Sequence, residues 1–189
     1  MRTRTFVVPA LVAFLALPAL AQDTYKIDPV HSQIGFKIRH FVAKVSGRFT
    51  KAEGQIKVDP KDVSKSSVEV TIDAASVNTD NEARDKHLRS ADFFEIEKFP
   101  SITFKSTSVK EVAKGKLEVT GNLTIKGVTR QVSFPITNAG TQEPKPGKVV
   151  AGFIDGSLKI NRGDFNIKYG PGVLGEEVEI ELNVEAGKQ

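Results

Sequence analysis

The chain contains no cysteine and no tryptophan, and only two tyrosines. Without thiols there is no disulfide, no thiolate metal ligand, no cysteine nucleophile and no lipidated cysteine to tether an exported product, so folding rests on packing alone. Phenylalanine, with 12 copies, carries nearly all of the aromatic content, which argues against stacking platforms for nucleic-acid bases. A strong charge of either sign is also missing. Lys and Arg number 27 against 23 Asp and Glu, a formal net charge of +4; setting Arg2 and Arg4 aside leaves about +2, with no basic block to follow a phosphate backbone. The three histidines, His31, His40 and His87, show no HxH or HExxH spacing, so no metal site is expected.

Long apolar runs are confined to the N-terminus. Met1 to Ala21 reads as a cleaved export signal: Arg2 and Arg4 lead, an apolar stretch runs from Phe6 to Leu17, and Ala19-Leu20-Ala21 offers small-x-small, placing cleavage after Ala21. Pro9 and Pro18 interrupt the run and polar Gln22, Asp23 and Thr24 follow, which argues against a retained anchor. Thr3 separates the two arginines, so the general export route to the periplasm is expected. Residues 22–189, about 168 of them, suffice for one domain with one core. At 39% hydrophobic and 26% charged residues the chain has the composition of a globular protein.

Period-two alternation recurs along those residues. Ile34 to Arg39, Val68 to Asp73, Ile102 to Lys105, Leu117 to Ile125, Gln131 to Phe134 and Glu177 to Glu185 all alternate apolar with polar side chains. With Lys44 to Val58 as one long bent strand and Val149 to Ile160 as another, the pattern predicts an all-β, antiparallel fold of about eight strands. Turns are expected at Asp59-Pro60, Lys114-Gly115 and Lys126-Gly127, and an exposed loop at Thr141 to Lys148. One short surface helix is expected within Thr79 to Asp92, with a Thr79/Glu82 capping box and Glu82–Lys86 and Asp85–Arg89 pairs.

Such strands can close into a barrel or stack as a sandwich. Gly47, Gly54, Gly121, Gly152 and Gly156 share parity with inward apolar neighbours, where a residue without a side chain leaves space beside the wall; the competing reading is a bulge or close crossing in a filled core. A cavity would be lined by Phe36, Ile38, Phe49, Ile56, Val70, Ile72, Phe104, Leu117, Val119, Phe134, Ile154 and Leu158. Burying about 20 methylene units at roughly 0.8 kcal/mol each supplies about 16 kcal/mol gross, against an association cost of about 4 to 15 kcal/mol, enough to hold a lipid tail.

Catalytic patterns are weak. His31 and Ser32 are adjacent in an extended stretch and point to opposite faces, so with Asp85 they make a poor triad. Gly170, Gly172 and Gly175 match GxGxxG but precede an acid-rich strand and read as a turn. On the predicted helix Arg84, His87 and Leu88 share a face. They serve either as a polar staple fixing the helix to the barrel or, joined by His31, as contacts for a polar head group.

Five separated motifs carry a resemblance. They are residues 28–36 (DPVHSQIGF), 84–94 (RDKHLRSADFF), 99–106 (FPSITFKS), 121–129 (GNLTIKGVT) and 161–165 (NRGDF). In this order they resemble the YceI-like family of exported lipid-binding proteins, over essentially all of residues 22–189. The resemblance implies a lipocalin-like antiparallel barrel enclosing an isoprenoid or other long-chain amphiphile, a prenyl quinone or prenyl phosphate among them, in the periplasm, with links to stress responses. The family often has glycine after Arg-x-Asp-Phe, where this chain has Asn166. No cofactor, catalytic residue, nucleic-acid partner or membrane span in the processed chain is expected, and a homodimer stays open. Two rivals remain: an enzyme acting on such a lipid through His31, Arg84, Asp85 or His87, and a structural envelope protein with a filled core.

Overall fold

The computed structural model describes residues 22–189; the expected signal segment lies outside the described residues. Eleven strands form one antiparallel sheet: β1 (Asp23–Ile27), β2 (Gln33–His40), β3 (Ala43–Phe49), β4 (Ala52–Val58), β5 (Ser67–Asp73), β6 (Val77–Asn78), β7 (Ser101–Ala113), β8 (Lys116–Ile125), β9 (Val128–Lys145), β10 (Lys148–Asn161) and β11 (Leu174–Lys188). Their order is β1-β4-β5-β7-β8-β9-β10-β11-β2-β3-β6, and an added β1–β11 pairing closes the ring. β11 pairs with β2 through 174–183 and with β1 through 186–188, so β1 and β2 are the halves of one interrupted strand. The expected bent strand from Lys44 to Val58 is β3 and β4, broken where the amides of Thr50 and Lys51 turn to Ser76 O and Oγ, each at 3.1 Å. β6, which pairs with β3 as β5 pairs with β4, continues β5 past Ala74–Ser76; with these three pairs each counted as one, the described residues form a closed barrel of eight strands, which decides against a sandwich.

Alternation sets the wall. On β11, Val178, Ile180, Leu182 and Val184 face inward while Glu177, Glu179 and Glu181 face out, where they meet Lys159 at 2.8 Å, Lys44 at 2.8 Å and Lys37 at 2.6 Å. That ladder accounts for the acid-rich strand. The core gathers toward the two ends: Ile27, Ile56, Leu117, Phe134 and Phe153 at one, and Ile72, Phe93, Ile102, Leu123, Phe165 and Ile167 at the other.

Two expectations change in the strands. Residues 141–148 are the end of a long hairpin, not a loop: Thr141 pairs with Ala151, and Lys145 with Lys148 around Pro146-Gly147. Both faces of that arm are exposed, so it shows no alternation. On β10 the register slips between Phe153 and Gly156, where Asp155 takes φ 58. The bulge reverses parity, so Phe153 points inward and Ile154, expected in the lining, is 39% exposed on the outside. Gly152 falls outside the lining for the same reason.

The helix α1 (Glu82–Arg89) is capped by Asn81, whose side chain accepts the Arg84 amide at 2.9 Å. Thr79 is not the cap. Its amide and hydroxyl both donate to Asp85 Oδ1, which makes Asp85 the buried side chain of the helix. The expected Asp85–Arg89 pair is therefore absent: Arg89 donates to the carbonyls of Ala75 at 2.8 Å and Val77 at 3.0 Å. Two part-buried hydrogen bonds from a guanidinium to backbone outweigh an exposed pair worth a few tenths of a kcal/mol, roughly. Among the described residues no helix is long and apolar enough to cross a membrane.

Candidate ligand cavity

The inward faces do not meet. They enclose a cavity of about 590 Å³, within the range of about 300 to 1,000 Å³ usual for ligand sites. Of the twelve side chains expected to line it, Phe36, Ile38, Phe49, Ile56, Val70, Ile72, Phe104, Leu117, Val119, Phe134 and Leu158 do so, and Ile154 does not. The glycine argument needs a correction of cause. A Cβ on Gly47 would strike the Phe36 ring, and one on Gly121 would strike the Phe104 ring within 2.7 Å. These glycines seat aromatic rings against the wall; the open volume lies beyond the rings.

Polar side chains are kept to the ends. Ser66, Ser67 and Asn138 sit toward one, and His40, Thr79, Arg84, His87, Arg162 and Tyr169 toward the other. Of these, His40, Arg84 and Tyr169 are exposed, which marks their end as the mouth; Ser67 is the exposed residue at the far end. A line of rings descends from that mouth, Phe94 to Phe49 at 5.6 Å and Phe49 to Phe36 at 5.8 Å.

The mouth is built by α1 and by residues 162–173. Arg84 donates from Nε to Thr79 Oγ1 at 2.7 Å and from Nη2 to the Thr79 carbonyl at 2.8 Å. Its Nη1 has no hydrogen-bond partner among the described residues. His87 lies edge-on to Phe93 and Tyr169, with centroids at 5.1 and 4.8 Å, and its Nε2 meets Asp92 Oδ2 at 2.8 Å. Buried Arg162 ties the 162–175 segment together: Nε reaches the Gly175 carbonyl at 2.8 Å, Nη1 those of Ile167 at 3.0 Å and Tyr169 at 2.7 Å, and Nη2 meets Glu176 at 3.1 Å. Asn166, at the place of the family's glycine, takes the left-handed conformation at φ 60, which Asn tolerates better than other residues with a Cβ.

His31 is not in the lining. It lies on the exposed β1–β2 connection, with Nδ1 at 2.9 Å from Asp28 and 3.8 Å from Glu185. The hydrogen bond that His31 donates to Asp28 leads the causes that raise the His31 pKa and, reciprocally, those that lower Asp28. The ligand atoms of these three residues fall within 4.8 Å of one another; a cation there would have to break the Asp28–His31 bond. Neighbouring Ser32 exchanges hydrogen bonds with the Glu185 backbone at 3.1 Å, so no Ser/His/Asp set assembles. The sequence reading missed Val178, Ile180 and Leu182, whose alternation was plain, His40, which ends β2 beyond its apolar alternation, and Tyr169, which lies in an irregular segment with no period to read.

The family model for the YceI-like domain matches residues 25–186. The chain belongs to the YceI-like domain family. A UPF0312 protein of Pseudomonas aeruginosa is 42% identical over 180 residues, covering 93% of this chain and 92% of that protein. Among solved structures, Burkholderia cenocepacia BcnA superposes with a TM-score of 0.77 at 29% identity, over 85% of this chain and 99% of its own. A polyisoprenoid binding domain from Saccharophagus degradans, described as implicated in plant cell wall breakdown, shares the fold at a TM-score of 0.66 and 17% identity, over 87% of this chain and 98% of that one. The expected family and barrel are thus both found.

Proposed function

We propose that the chain is an exported carrier that holds the hydrocarbon tail of an isoprenoid-type lipid, of the prenyl quinone or prenyl phosphate class, inside the barrel. The observation that carries this reading is the cavity of about 590 Å³ with an apolar wall and polar side chains only toward its ends, the arrangement a long tail with one polar terminus requires. The polyisoprenoid binding of the S. degradans domain points the same way. Arg84, through its free Nη1, and His87 flank the place where a head group would emerge; His31 is withdrawn from that role by its position on the β1–β2 connection. Binding is favoured over acid-base chemistry because Asp85, the buried carboxylate of the helix, is committed to the amide and hydroxyl of Thr79.

Native mass spectrometry of protein purified from its own host tests this. Recovery of a prenyl lipid in the complex is expected, and no recovered lipid together with no binding of prenyl quinones or prenyl phosphates would sink it. The same spectrum reports processing: a first residue of Gln22 supports export with cleavage after Ala21, and retained residues 6–20 refute it.

A further inference from the structure

The turn joining β2 to β3 is two residues long, and both are apolar. Phe41 is 57% exposed and Val42 101%. Two-residue hairpin turns ordinarily place Asn, Asp or Gly where positive φ is needed. Here Phe41 holds φ 48, which a bulky residue adopts only against strain. Fold stability alone would select another pair.

The tip is fixed in place. The Phe41 amide donates to the Val173 carbonyl at 2.9 Å, Arg39 Nη1 donates to the Phe41 carbonyl at 2.8 Å, and the His40 ring stands edge-on to Phe41 at 4.7 Å. Through His40 paired with Leu174, it adjoins the mouth, where Tyr169 is 47% exposed. Two exposed cations belong to this face: Arg39, bonded to the tip itself, and Lys168, next in the chain to Tyr169; neither forms an ion pair among the described residues, whereas Lys44 is neutralised by Glu179 and Arg48 by Asp80.

We infer that the Phe41-Val42 tip, with Tyr169 and the cations Arg39 and Lys168, docks the cavity mouth onto a lipid bilayer bearing anionic head groups. Apolar side chains beside unneutralised cations are how interfacial anchors hold an anionic membrane. The few projecting side chains are too small a patch for the apolar centre of a stable protein interface. The inference rests on the carrier reading for its purpose, since docking sets the mouth against the phase in which a lipid cargo dissolves.

The test is co-sedimentation with phosphatidylethanolamine vesicles, with and without phosphatidylglycerol, using residues 22–189 and the double variant Phe41→Gly, Val42→Asn. These substitutions suit the turn, so the variant is expected to melt at the same temperature or higher. Expected is binding that requires phosphatidylglycerol, weakens with added salt, and falls about tenfold or more in the variant. Uptake of a fluorescent prenol from the vesicles should slow in step, while binding of a short-chain prenol from buffer stays unchanged. Equal sedimentation of parent and variant, no sedimentation of either, or tip-dependent capture of a protein in place of vesicles overturns the proposal. Tip-dependent sedimentation without uptake of any prenol leaves the docking standing and removes the carrier reading.

Discussion

Replacing Gly47 with alanine tests whether the cavity is space the protein keeps open. Gly47 stands opposite Phe36 in the β2–β3 register. A Cβ at position 47 would lie 2.8 Å from both Phe36 Cε1 and Thr79 Cγ2, and closer still to Phe36 Cζ. Thr79 cannot yield, because its amide and hydroxyl both hold Asp85. The Phe36 ring must therefore swing into the lumen. Inserting a methyl into a filled core costs about 1 to 3 kcal/mol, and a ring with open volume to enter should sit at the low end, about 1 kcal/mol. For a domain of this size that lowers the melting temperature by roughly 2 to 4 °C.

The ring then occupies space otherwise open to a tail. If it displaces about four methylene units at roughly 0.8 kcal/mol each, the loss is about 3 kcal/mol, or roughly a hundredfold in affinity. Thermal melting and titration with a fluorescent prenol measure the two effects on one sample. A variant that loses 3 kcal/mol or more of stability yet binds prenol like the parent would refute the reasoning, because the ring would then have had no lumen to enter.

Other perturbations separate structural parts from binding parts. Arg162→Met strips the 162–175 segment of a buried guanidinium and leaves three carbonyls to be resatisfied; a loss of about 3 to 5 kcal/mol in urea unfolding is expected, and less than about 1 would contradict it. Asn166→Gly should leave stability within a few tenths of a kcal/mol, roughly, whereas Asn166→Val, which must hold φ 60, should lose about 1 kcal/mol or more by the same assay. The His31 pKa is raised above its ordinary 6.5 by Asp28 and Glu185, so its stabilising contribution is complete below 6.5 and fades as pH climbs through the higher folded value. Asp28, lowered from 3.8, contributes above 3.8 and loses that contribution as pH falls through its folded value. An NMR titration of the His31 ring should give a midpoint above 6.5, and one at or below 6.5 would remove the ion pair from solution.

Much of the wall was legible because a half-buried strand writes its orientation in every second letter. Glu177 to Glu185 could be assigned from composition alone, and its partners on β2 and β10 nearly so. What failed was local. A single extra residue at Asp155 inverts the register of β10 and moves Ile154 outside, and alternation on either side of a bulge gives no warning of it. β1, with five residues, is too short for a period, and the exposed arm of β9 and β10 has no buried face to impose one. The helix misled for a different reason. Thr79 three residues before Glu82 satisfies the capping pattern, but Asp85 offers Thr79 a buried carboxylate, and a charged acceptor in a dry setting outcompetes a cap that Asn81 can supply instead.

The glycines show how a correct expectation can rest on the wrong cause. Their inward parity admits empty volume or a close crossing, whereas the space at Gly47 and Gly121 is taken by the Phe36 and Phe104 rings. The cavity survives because those rings reach over the glycines, into positions a Cβ would occupy, and leave the lumen beyond them open. With no tryptophan in the chain, phenylalanine is the largest apolar side chain available to close the barrel, and two of its copies are held back by glycine. An open interior in this fold is thus a property of neighbouring positions on adjacent strands, Phe36 directly opposite Gly47 and Phe104 diagonal to Gly121; a methyl at 47 should close the lumen by one ring, whereas one at 121 also meets the Lys105 carbonyl oxygen at 2.5 Å and should strain the strand itself.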